Sequence, residues 1–476
     1  MPKNQFRLHC CKGKFRLFGH YVHAQFLLLA AFEWLTLVLL GYFNQKYLTP
    51  ALTGLNWPLT WQEIILTATL VVFAITSMGL YDTRQRERFR GIAFRMVAAF
   101  FLGTAILWVF YQLYPELSWH KTQVLVFNLV ALGTLGAIRT LFYRYVDGKL
   151  LLRRTLVLGT GKRASHIDSL RRKADKRGFQ LMGFVPTKSC QHIHVDPAKI
   201  IRASKNFCTY ALANNVDEIV IALDDRRQKL PIDELLDCRM SGIDVIDAID
   251  FLERERALLH LDLLQPGWLI HAPGFHRNAL RAFGKRTLDI GASLLLLLIS
   301  APFSLVTALA IFIESRGKGP IFYRQERTGL NGQPFHVIKF RSMRTDAEAD
   351  GKARWAVEGD PRVTRVGRVI RKYRLDEIPQ LWNILKGDMS LVGPRPERPE
   401  FVERLNELNP LYRERHRVKP GLTGWAQVSY PYGASDEDAM QKLQYDLYYI
   451  KNRTFFFDFY ILVQTVEVVL FKKGSV

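Results

Sequence analysis

The sequence predicts a membrane protein in three parts: a four-helix transmembrane bundle, a small parallel α/β domain, and a membrane-associated α/β domain with a re-entrant helix-break-helix. Three observations carry this. Apolar residues make up 49% of the 476, but they crowd into four long runs before residue 146 and a fifth near 288–313. Residues 150–265 alternate short β-branched runs with helical periodicity, the mark of βαβ units. Residues 315–453 are polar and hold most of the chain's chemically suggestive residues. The expected divisions are 1–149, 150–265, a connector at 266–284, and 285–476, with the re-entrant helix at 286–314.

The first part opens on a basic stretch with Lys3, Arg7, Lys12, Lys14 and Arg16. The apolar run that follows, about 23–43, is too long for a removable signal and lacks its small-residue cleavage site. Further spans read as about 60–80, 92–114 and 123–145. Glu33 lies inside the first span, where an acid is expected to face the bundle rather than lipid. The first and third loops carry only Lys46 and Lys121, whereas the second holds Arg84, Arg86, Arg88 and Arg90. Basic loops stay inside, so the N-terminus and everything after Leu150 are expected on the cytoplasmic face.

In the second part a strand-like run, Arg154–Leu158, leads into Gly159-Thr-Gly161 and then a helical pattern. Residues 178–185, 218–223 and 243–246 read as further strands, which together make a parallel unit of Rossmann type. Its glycine turn could cradle a pyrophosphate at a helix N-terminus. No acid clearly ends the second strand to hold a ribose, so a purely structural unit is the competing reading. The five cysteines show no metal-ligand spacing, and free thiols are expected.

The apolar run at 288–313 is broken by Ser300-Ala-Pro302. A fifth crossing would place the arginine-rich last part outside, against the positive-inside pattern. A helix that enters and returns on one face fits better, with Pro302 removing a backbone donor at the bend and Ser300 nearby. The apolar stretch 454–471 is interrupted by Asp458, Gln464 and Glu467, and is expected to lie at the interface. Part of the net charge of +22 flanks the spans, and the excess of Lys and Arg that remains from Arg281 onward favours acidic partners such as phosphorylated substrates and lipid head groups. No nucleic-acid-binding motif accompanies it, which excludes that class.

The stretch Arg374–Pro396 concentrates the chemistry. Asp376 and Glu377 stand at an expected helix start, with Pro379 in its first turn and Gly387 as its stop. Neighbours on a helix diverge by about 100°, so the pair is poorly arranged to share a proton. One carboxylate attacking or titrating while the other holds a metal is the chemical reading; simple capping of a surface helix is the other. Arg374 precedes the pair and Arg395 follows it between two prolines, and guanidinium groups match phosphate oxygens. Such a ring of arginines suits phosphates and a divalent cation.

Ordered motifs then carry a resemblance: Lys285-Arg286-x-x-Asp289, the Pro302 break, Gly319-Pro320, Gln325-x-Arg327-x-Gly329, Lys339-Phe-Arg341-Ser-Met343, Leu375-Asp-Glu-Ile-Pro-Gln380, Gly387-Asp388-Met-Ser390, Gly393-Pro-Arg-Pro396 and Lys419-Pro-Gly-Leu-Thr-Gly-Trp425. Over residues 281–473 the chain resembles the bacterial sugar transferases, the polyprenyl-phosphate hexose-1-phosphate transferases. With its N-terminal spans it is similar to the large members that start exopolysaccharide repeat units. Its Pro266-Gly-Trp-Leu-Ile270 connector is similar to the subgroup associated with exosortase-type operons. One departure is Ala301 directly before Pro302, where many members have serine.

The resemblance implies transfer of a sugar-1-phosphate from a UDP-sugar to undecaprenyl (polyprenyl) phosphate at the bacterial cytoplasmic membrane, with release of UMP. It implies Asp376 as nucleophile through a covalent phosphosugar intermediate, and Glu377 as ligand to Mg²⁺, or Mn²⁺ in its place. Arg395 would grip a phosphate, with Lys339, Arg341, Arg374 and Arg327 as further phosphate or nucleotide contacts, and Asp388 would support the metal. Expected partners are the UDP-sugar, the polyprenyl phosphate, membrane lipid and a second copy in a homodimer. The alternatives are a non-catalytic scaffold of a polysaccharide assembly complex, and a membrane-bound sugar-nucleotide dehydratase. The latter needs a Tyr-x-x-x-Lys pair, whose only occurrence is Tyr42 to Lys46.

Overall fold

The computed structural model describes residues 14–17, 20–54, 60–81, 89–114, 121–145, 152–170, 178–187, 193–201, 207–224, 230–264, 279–347, 359–430, 433 and 435–470. Lys3, Arg7, Lys12, Arg84, Arg86, Arg88 and the Pro266–Ile270 connector lie outside the described residues. Beyond the first 20 residues the chain forms two compact units, Tyr21–Ala257 and Leu258–Val476.

The first unit begins with four apolar helices: α1 (Ala24–Phe43), α2 (Trp61–Ser77), α3 (Phe89–Leu113) and α4 (Lys121–Tyr145). α1 continues through a π-helical turn at Asn44–Leu48. Ala24–Ala51, Gly91–Gln112 and Gln123–Phe142 are long and apolar enough to cross a membrane; α2 has only 17 residues, and the fourth such helix is Arg281–Glu314 in the second unit. The span expected at 60–80 is thus cut short, because buried guanidinium groups take the carbonyls beyond α2. Arg95 donates to the Met78 carbonyl at 2.9 Å and Arg139 to that of Leu80 at 3.0 Å.

Glu33 faces the bundle interior as expected. Its carboxylate meets Arg139 Nε at 2.7 Å and Nη2 at 2.8 Å, and accepts from the Tyr81 hydroxyl. Paired and hydrogen-bonded in this way, a buried carboxylate offsets much of its desolvation cost.

A four-stranded parallel sheet follows: β1 (Arg153–Leu158), β2 (Phe179–Val185), β3 (Glu218–Ile221) and β4 (Asp244–Asp247), in the order β2-β1-β3-β4. These are the strands that the β-branched runs predict. Four short helices connect or flank them: α5 (Lys162–Asp168), α6 (Phe207–Ala213), α7 (Ile232–Met240) and α8 (Ala248–Arg256). Leu156, Leu158, Val216, Ile219 and Ile243 form one buried cluster with Cys208 and Cys238, both free thiols.

The glycine turn between β1 and α5 is closed upon its own chain. Asp224 accepts from the backbone N–H groups of Lys162 at 2.9 Å and Arg163 at 2.8 Å. A Cβ at Gly161 would stand 2.0 Å from that carboxylate, so glycine is required for the approach. The anion that a Gly-x-Gly turn would recruit is already supplied by the chain. We expect wild-type protein to give no binding heat with NAD⁺ or NADP⁺ in calorimetric titration, and binding would overturn this reading. Asp224→Ala should lower the unit's unfolding free energy by about 1 kcal/mol, the usual cost of a lost cap.

The second unit starts with α9 (Ala279–Glu314), helical throughout with Pro302 inside it. An antiparallel hairpin follows, β5 (Phe322–Thr328) with β6 (Pro334–Phe340), and then α10 (Arg365–Lys372) and α11 (Gln380–Lys386). β7 (Ser390–Val392) pairs in parallel with β8 (Gly421–Thr423). The remaining helices are α12 (Pro399–Leu408), α13 (Trp425–Ser429), α14 (Asp436–Asn452) and α15 (Phe455–Leu470).

Apolar burial joins these elements. Ile311 of α9, Phe340 of β6 and Ile370 of α10 form a small core, against which Leu375 and Ile378 pack. At its other end α9 is held by polar bonds. Arg286 donates to the Ile384 and Leu385 carbonyls, both at 2.6 Å, satisfying the C-terminus of α11. Asp289 accepts from Ser390 Oγ and Leu391 N, both at 3.1 Å, and Lys285 pairs with Asp458 at 2.9 Å. Asp458 and Gln464, the polar breaks in the last apolar stretch, are buried rather than solvated.

Candidate active site

The two carboxylates sit one turn earlier than the sequence pattern suggests. Leu375–Glu377 is a separate 3₁₀ turn, and α11 starts only at Gln380 with Pro379 as its N-cap. The turn is set off from α10 at Arg374, whose left-handed φ of 56° is costly for a residue with a Cβ. The predicted stop holds: Gly387 caps α11 with φ 102°. Both carboxylates are 9% exposed.

Their surroundings differ. Glu377 Oε1 accepts from Arg395 Nη2 at 2.7 Å and lies 3.7 Å from Lys339 Nζ; its Oε2 lies 3.8 Å from Arg374 Nη1. Burial alone would raise its pKa, but Arg395, Lys339 and Arg374 outweigh that and hold it well below the usual carboxylate range. Asp376 has no hydrogen bond or ion pair among the described residues. Burial and then the charge of Glu377 push its pKa up to about 6, against the pull of Lys339, Arg371 and Arg395. One carboxylate is therefore gripped and ionised, and the other is unpaired and unusually basic. Burial lowers the pKa of Lys339 despite its proximity to Glu377.

Arg395 is placed by a tight backbone junction. Gly393 N donates to Thr423 O at 2.9 Å, and Gly421 N to Pro394 O at 2.8 Å. A Cβ at Gly393 would come 2.4 Å from Lys419 O, and one at Gly421 only 2.1 Å from Gly393 N. The glycines of the two motifs thus allow one backbone to lie directly on the other. Beneath this loop Arg415 donates to Arg395 O at 2.9 Å and pairs with Asp446 at 2.8 Å, both side chains being almost wholly buried. Sequence reasoning missed this pair. Its signal was an acid on α14 in register with Leu443, Leu447 and Ile450, all buried. Asn383 was missed too: it bridges α11 to the hairpin, accepting from Ile338 N at 3.0 Å and donating to His336 O at 2.8 Å.

The other predicted site residues divide. Arg327 borders the Arg395 loop, donating to Pro396 O at 3.2 Å and lying 3.6 Å from Glu397. Arg341 is turned toward Lys318 O at 3.4 Å, over Gly319, and pairs with neither carboxylate among the described residues. Asp388 pairs with Lys386 at 3.1 Å. Ser300 Oγ contacts Leu297 O at 3.4 Å, one turn back from Pro302. Tyr42 and Lys46 do meet, at 2.9 Å, but on the Ala24–Ala51 membrane helix, which offers no reductase site.

Among the described residues no group of three or more His, Cys, Asp or Glu side chains forms a metal cage. Mg²⁺ at phosphate sites is commonly held by one or two carboxylates, with phosphate oxygens and water completing the shell. A cation arriving with a diphosphate would meet Asp376 unpaired, and Glu377 already faced by Arg395, Lys339 and Arg374.

The match to a known family falls in the second unit. The family model for the bacterial sugar transferases matches residues 280–472. The chain is 44% identical over 216 residues to the UDP-N-acetylgalactosamine-undecaprenyl-phosphate N-acetylgalactosaminephosphotransferase of Aeromonas hydrophila, covering 45% of this chain and 49% of that protein. It is 36% identical over 263 residues to the UDP-glucose:undecaprenyl-phosphate glucose-1-phosphate transferase of Escherichia coli (strain K12), covering 54% and 55%. The uncharacterized sugar transferase EpsL of Bacillus subtilis (strain 168) is 40% identical over 194 residues, 40% of this chain and 89% of that protein. The chain spans about half the length of the first two relatives. The chain belongs to the bacterial sugar transferase family.

Proposed function

We propose that the protein transfers a sugar-1-phosphate from a UDP-sugar to undecaprenyl phosphate, releasing UMP, as the first membrane step of a glycoconjugate or exopolysaccharide. The observation that carries this reading is the contrast between the unpaired Asp376 and the triply gripped Glu377. Two relatives named for transfer to undecaprenyl phosphate support the acceptor, and their UDP-sugar names support the donor class.

Asp376, mostly ionised at neutral pH, attacks the phosphorus that bears the sugar. An Asp376 oxygen–phosphorus bond forms while the bond to the departing UMP oxygen breaks and its electron pair leaves with UMP. An oxygen of the lipid phosphate then attacks the same phosphorus and returns Asp376 as a carboxylate. A carboxylate nucleophile needs no base to activate it, and two displacements avoid assembling three substrates at once. Arg395, Lys339 and Arg374 hold Glu377 and present positive charge to the diphosphate. Mg²⁺, held by Glu377 with donor phosphates, would neutralise charge on the leaving group.

In this reading α9 dips into the membrane and returns on the cytoplasmic face of the bacterial inner membrane. Support comes from its two ends, which are fastened to one small unit. A straight helix would part residues 286 and 311 by about 38 Å, at about 1.5 Å per residue. Yet Arg286 reaches Ile384, Ile311 packs near Ile378, and these two partners are only six residues apart in the chain, a span of at most about 20 Å. Pro302, which leaves the Leu298 carbonyl without its helical donor, is the natural place for the bend.

The test is UMP release from purified full-length protein with undecaprenyl phosphate, Mg²⁺ and a panel of UDP-sugars. Release with at least one donor, abolished by EDTA, is expected. No release with any donor would overturn the reading.

A further inference from the structure

The end of α11 away from the carboxylates carries two cations that no carboxylate pairs with among the described residues. Gly387 caps the helix there. Where a Cβ on Gly387 would stand, the nearest heavy atoms are Lys419 Nζ at 3.6 Å and Arg286 Nη2 at 3.7 Å. Glycine leaves that space open. Two charge-assisted bonds of about 2.8 Å, with a phosphate between them, span such a gap.

The donors are available. Arg286 uses one N–H of each terminal nitrogen on the Ile384 and Leu385 carbonyls and keeps the others. Lys419 is half-buried, and its ammonium makes no hydrogen bond or ion pair among the described residues. The acids whose charge reaches it, Asp289 and Asp388, are engaged elsewhere: Asp289 by Ser390 and Leu391, Asp388 by Lys386. Burial, and then the charge of Arg286, lower the pKa of Lys419. Drawing an ammonium out of water beside a guanidinium is costly unless an anion joins them.

The place of the pair along α9 selects the anion. Arg286 stands one turn before Ile290, which opens the exposed apolar run Leu294, Leu295, Leu298 and Ile299. Residues Arg281–Glu314 are long and apolar enough to cross a membrane. Whether the helix crosses or returns, its lipid-facing part begins here, so the two cations lie at the level of the head groups. Lipid phosphates fill that layer. Asp376 precedes α11 and Gly387 follows it, so the seven-residue helix, about 10 Å long, parts the two places. An acceptor phosphate held beside Gly387 would be out of reach of a phosphorus atom at Asp376.

We propose that Arg286 and Lys419 clamp the head-group phosphate of an anionic phospholipid beside Gly387, at a lipid site separate from that of the acceptor. The assignment rests on α9 entering the membrane and not on the chemistry at Asp376. It makes a membrane lipid the counter-ion that the cap of α11 lacks.

The test is native mass spectrometry of the full-length protein in detergent micelles, titrated with phosphatidylglycerol. Wild type is compared with Lys419→Gln, with Lys419→Arg, which keeps the charge, and with Lys386→Gln, which removes a neighbouring exposed charge. The dissociation constant of the tightest-bound lipid should rise about tenfold in Lys419→Gln and stay within about threefold of wild type in the other two. Unchanged affinity in Lys419→Gln would overturn the clamp. An equal loss in Lys386→Gln would show attraction to general surface charge, and would overturn it too. Parallel titrations with undecaprenyl phosphate and with inorganic phosphate separate the other sources of the same chemistry. A loss confined to undecaprenyl phosphate would assign the clamp to the acceptor, and a loss seen equally with inorganic phosphate would show a free-ion site; either overturns the phospholipid assignment. UMP release plays no part in the readout, so failure of the transferase reading would leave this result standing.

Discussion

Asp376→Asn is expected to abolish sugar-phosphate transfer, by at least about 10⁴-fold, while making the protein more stable. On the mechanism proposed above, loss of activity follows from removing the attacking oxygen, since an amide cannot replace a carboxylate as nucleophile at phosphorus. The gain in stability follows from the sign of the pKa shift. The folded-state pKa of Asp376, about 6, lies above its ordinary value of 3.8. Folding therefore disfavours the ionised form, and above pH 6 this carboxylate subtracts from stability. At about 1.4 kcal/mol per pKa unit, two units amount to at most about 3 kcal/mol. The penalty disappears as pH falls toward 4, and so should the difference in thermal midpoint between variant and wild type. Wild-type turnover should fall as pH drops through about 6 and Asp376 takes up its proton. Thermal unfolding of both proteins between pH 5 and 8 checks the first statement, and a pH–rate profile checks the second. Equal midpoints at pH 8 would show that the buried charge costs nothing.

Asp446→Ala is expected to be the most damaging change outside the carboxylate turn. It strands the buried guanidinium of Arg415, which then has the Arg395 carbonyl and the Tyr412 hydroxyl but no carboxylate paired with it. Breaking a buried pair from one side typically costs about 3–5 kcal/mol. Because Arg415 anchors the backbone of Arg395, a protein that still folds should also lose hold of Glu377 and turn over more slowly. The double variant Asp446→Leu with Arg415→Met, which removes both charges, should recover most of the stability. It should not recover the activity, because the tie to Arg395 O is gone. Denaturant unfolding beside UMP release separates the two effects.

These residues also mark how far the sequence could be read. Asp376, Glu377 and Arg395 were legible because a short segment places acids and arginines together, and Lys339 and Arg374 proved to share the site. Arg341 did not, since the strand that carries Lys339 ends at Phe340 and Arg341, just beyond it, is turned toward Lys318. Arg415 and Asp446 were hidden because 31 positions separate them and only the packing of α14 under the Arg395 loop brings them together. The strands of the parallel sheet were plain in their β-branched runs. What closes its glycine turn was not, because Asp224 lies 62 residues beyond Lys162, just past the strand that carries it there. The shortness of α2 was equally invisible to hydropathy, being imposed by carbonyl-seeking arginines from two other helices.

The fastening of both ends of α9 to the catalytic unit has a further consequence for where the chemistry occurs. A helix that crosses a bilayer must match its full thickness, and tilts or strains when that changes. A helix that returns to the face it entered takes its bearing from a single leaflet. On the proposed re-entrant course, the height of Asp376 above that leaflet would be set by the contacts of Arg286, Asp289 and Ile311 with the rest of the unit. The lipid phosphate, which cannot leave the plane of its head groups, would meet a nucleophile held at constant altitude. If α9 returns as proposed, membranes of different thickness would strain the N-terminal bundle and leave the reacting distance unchanged.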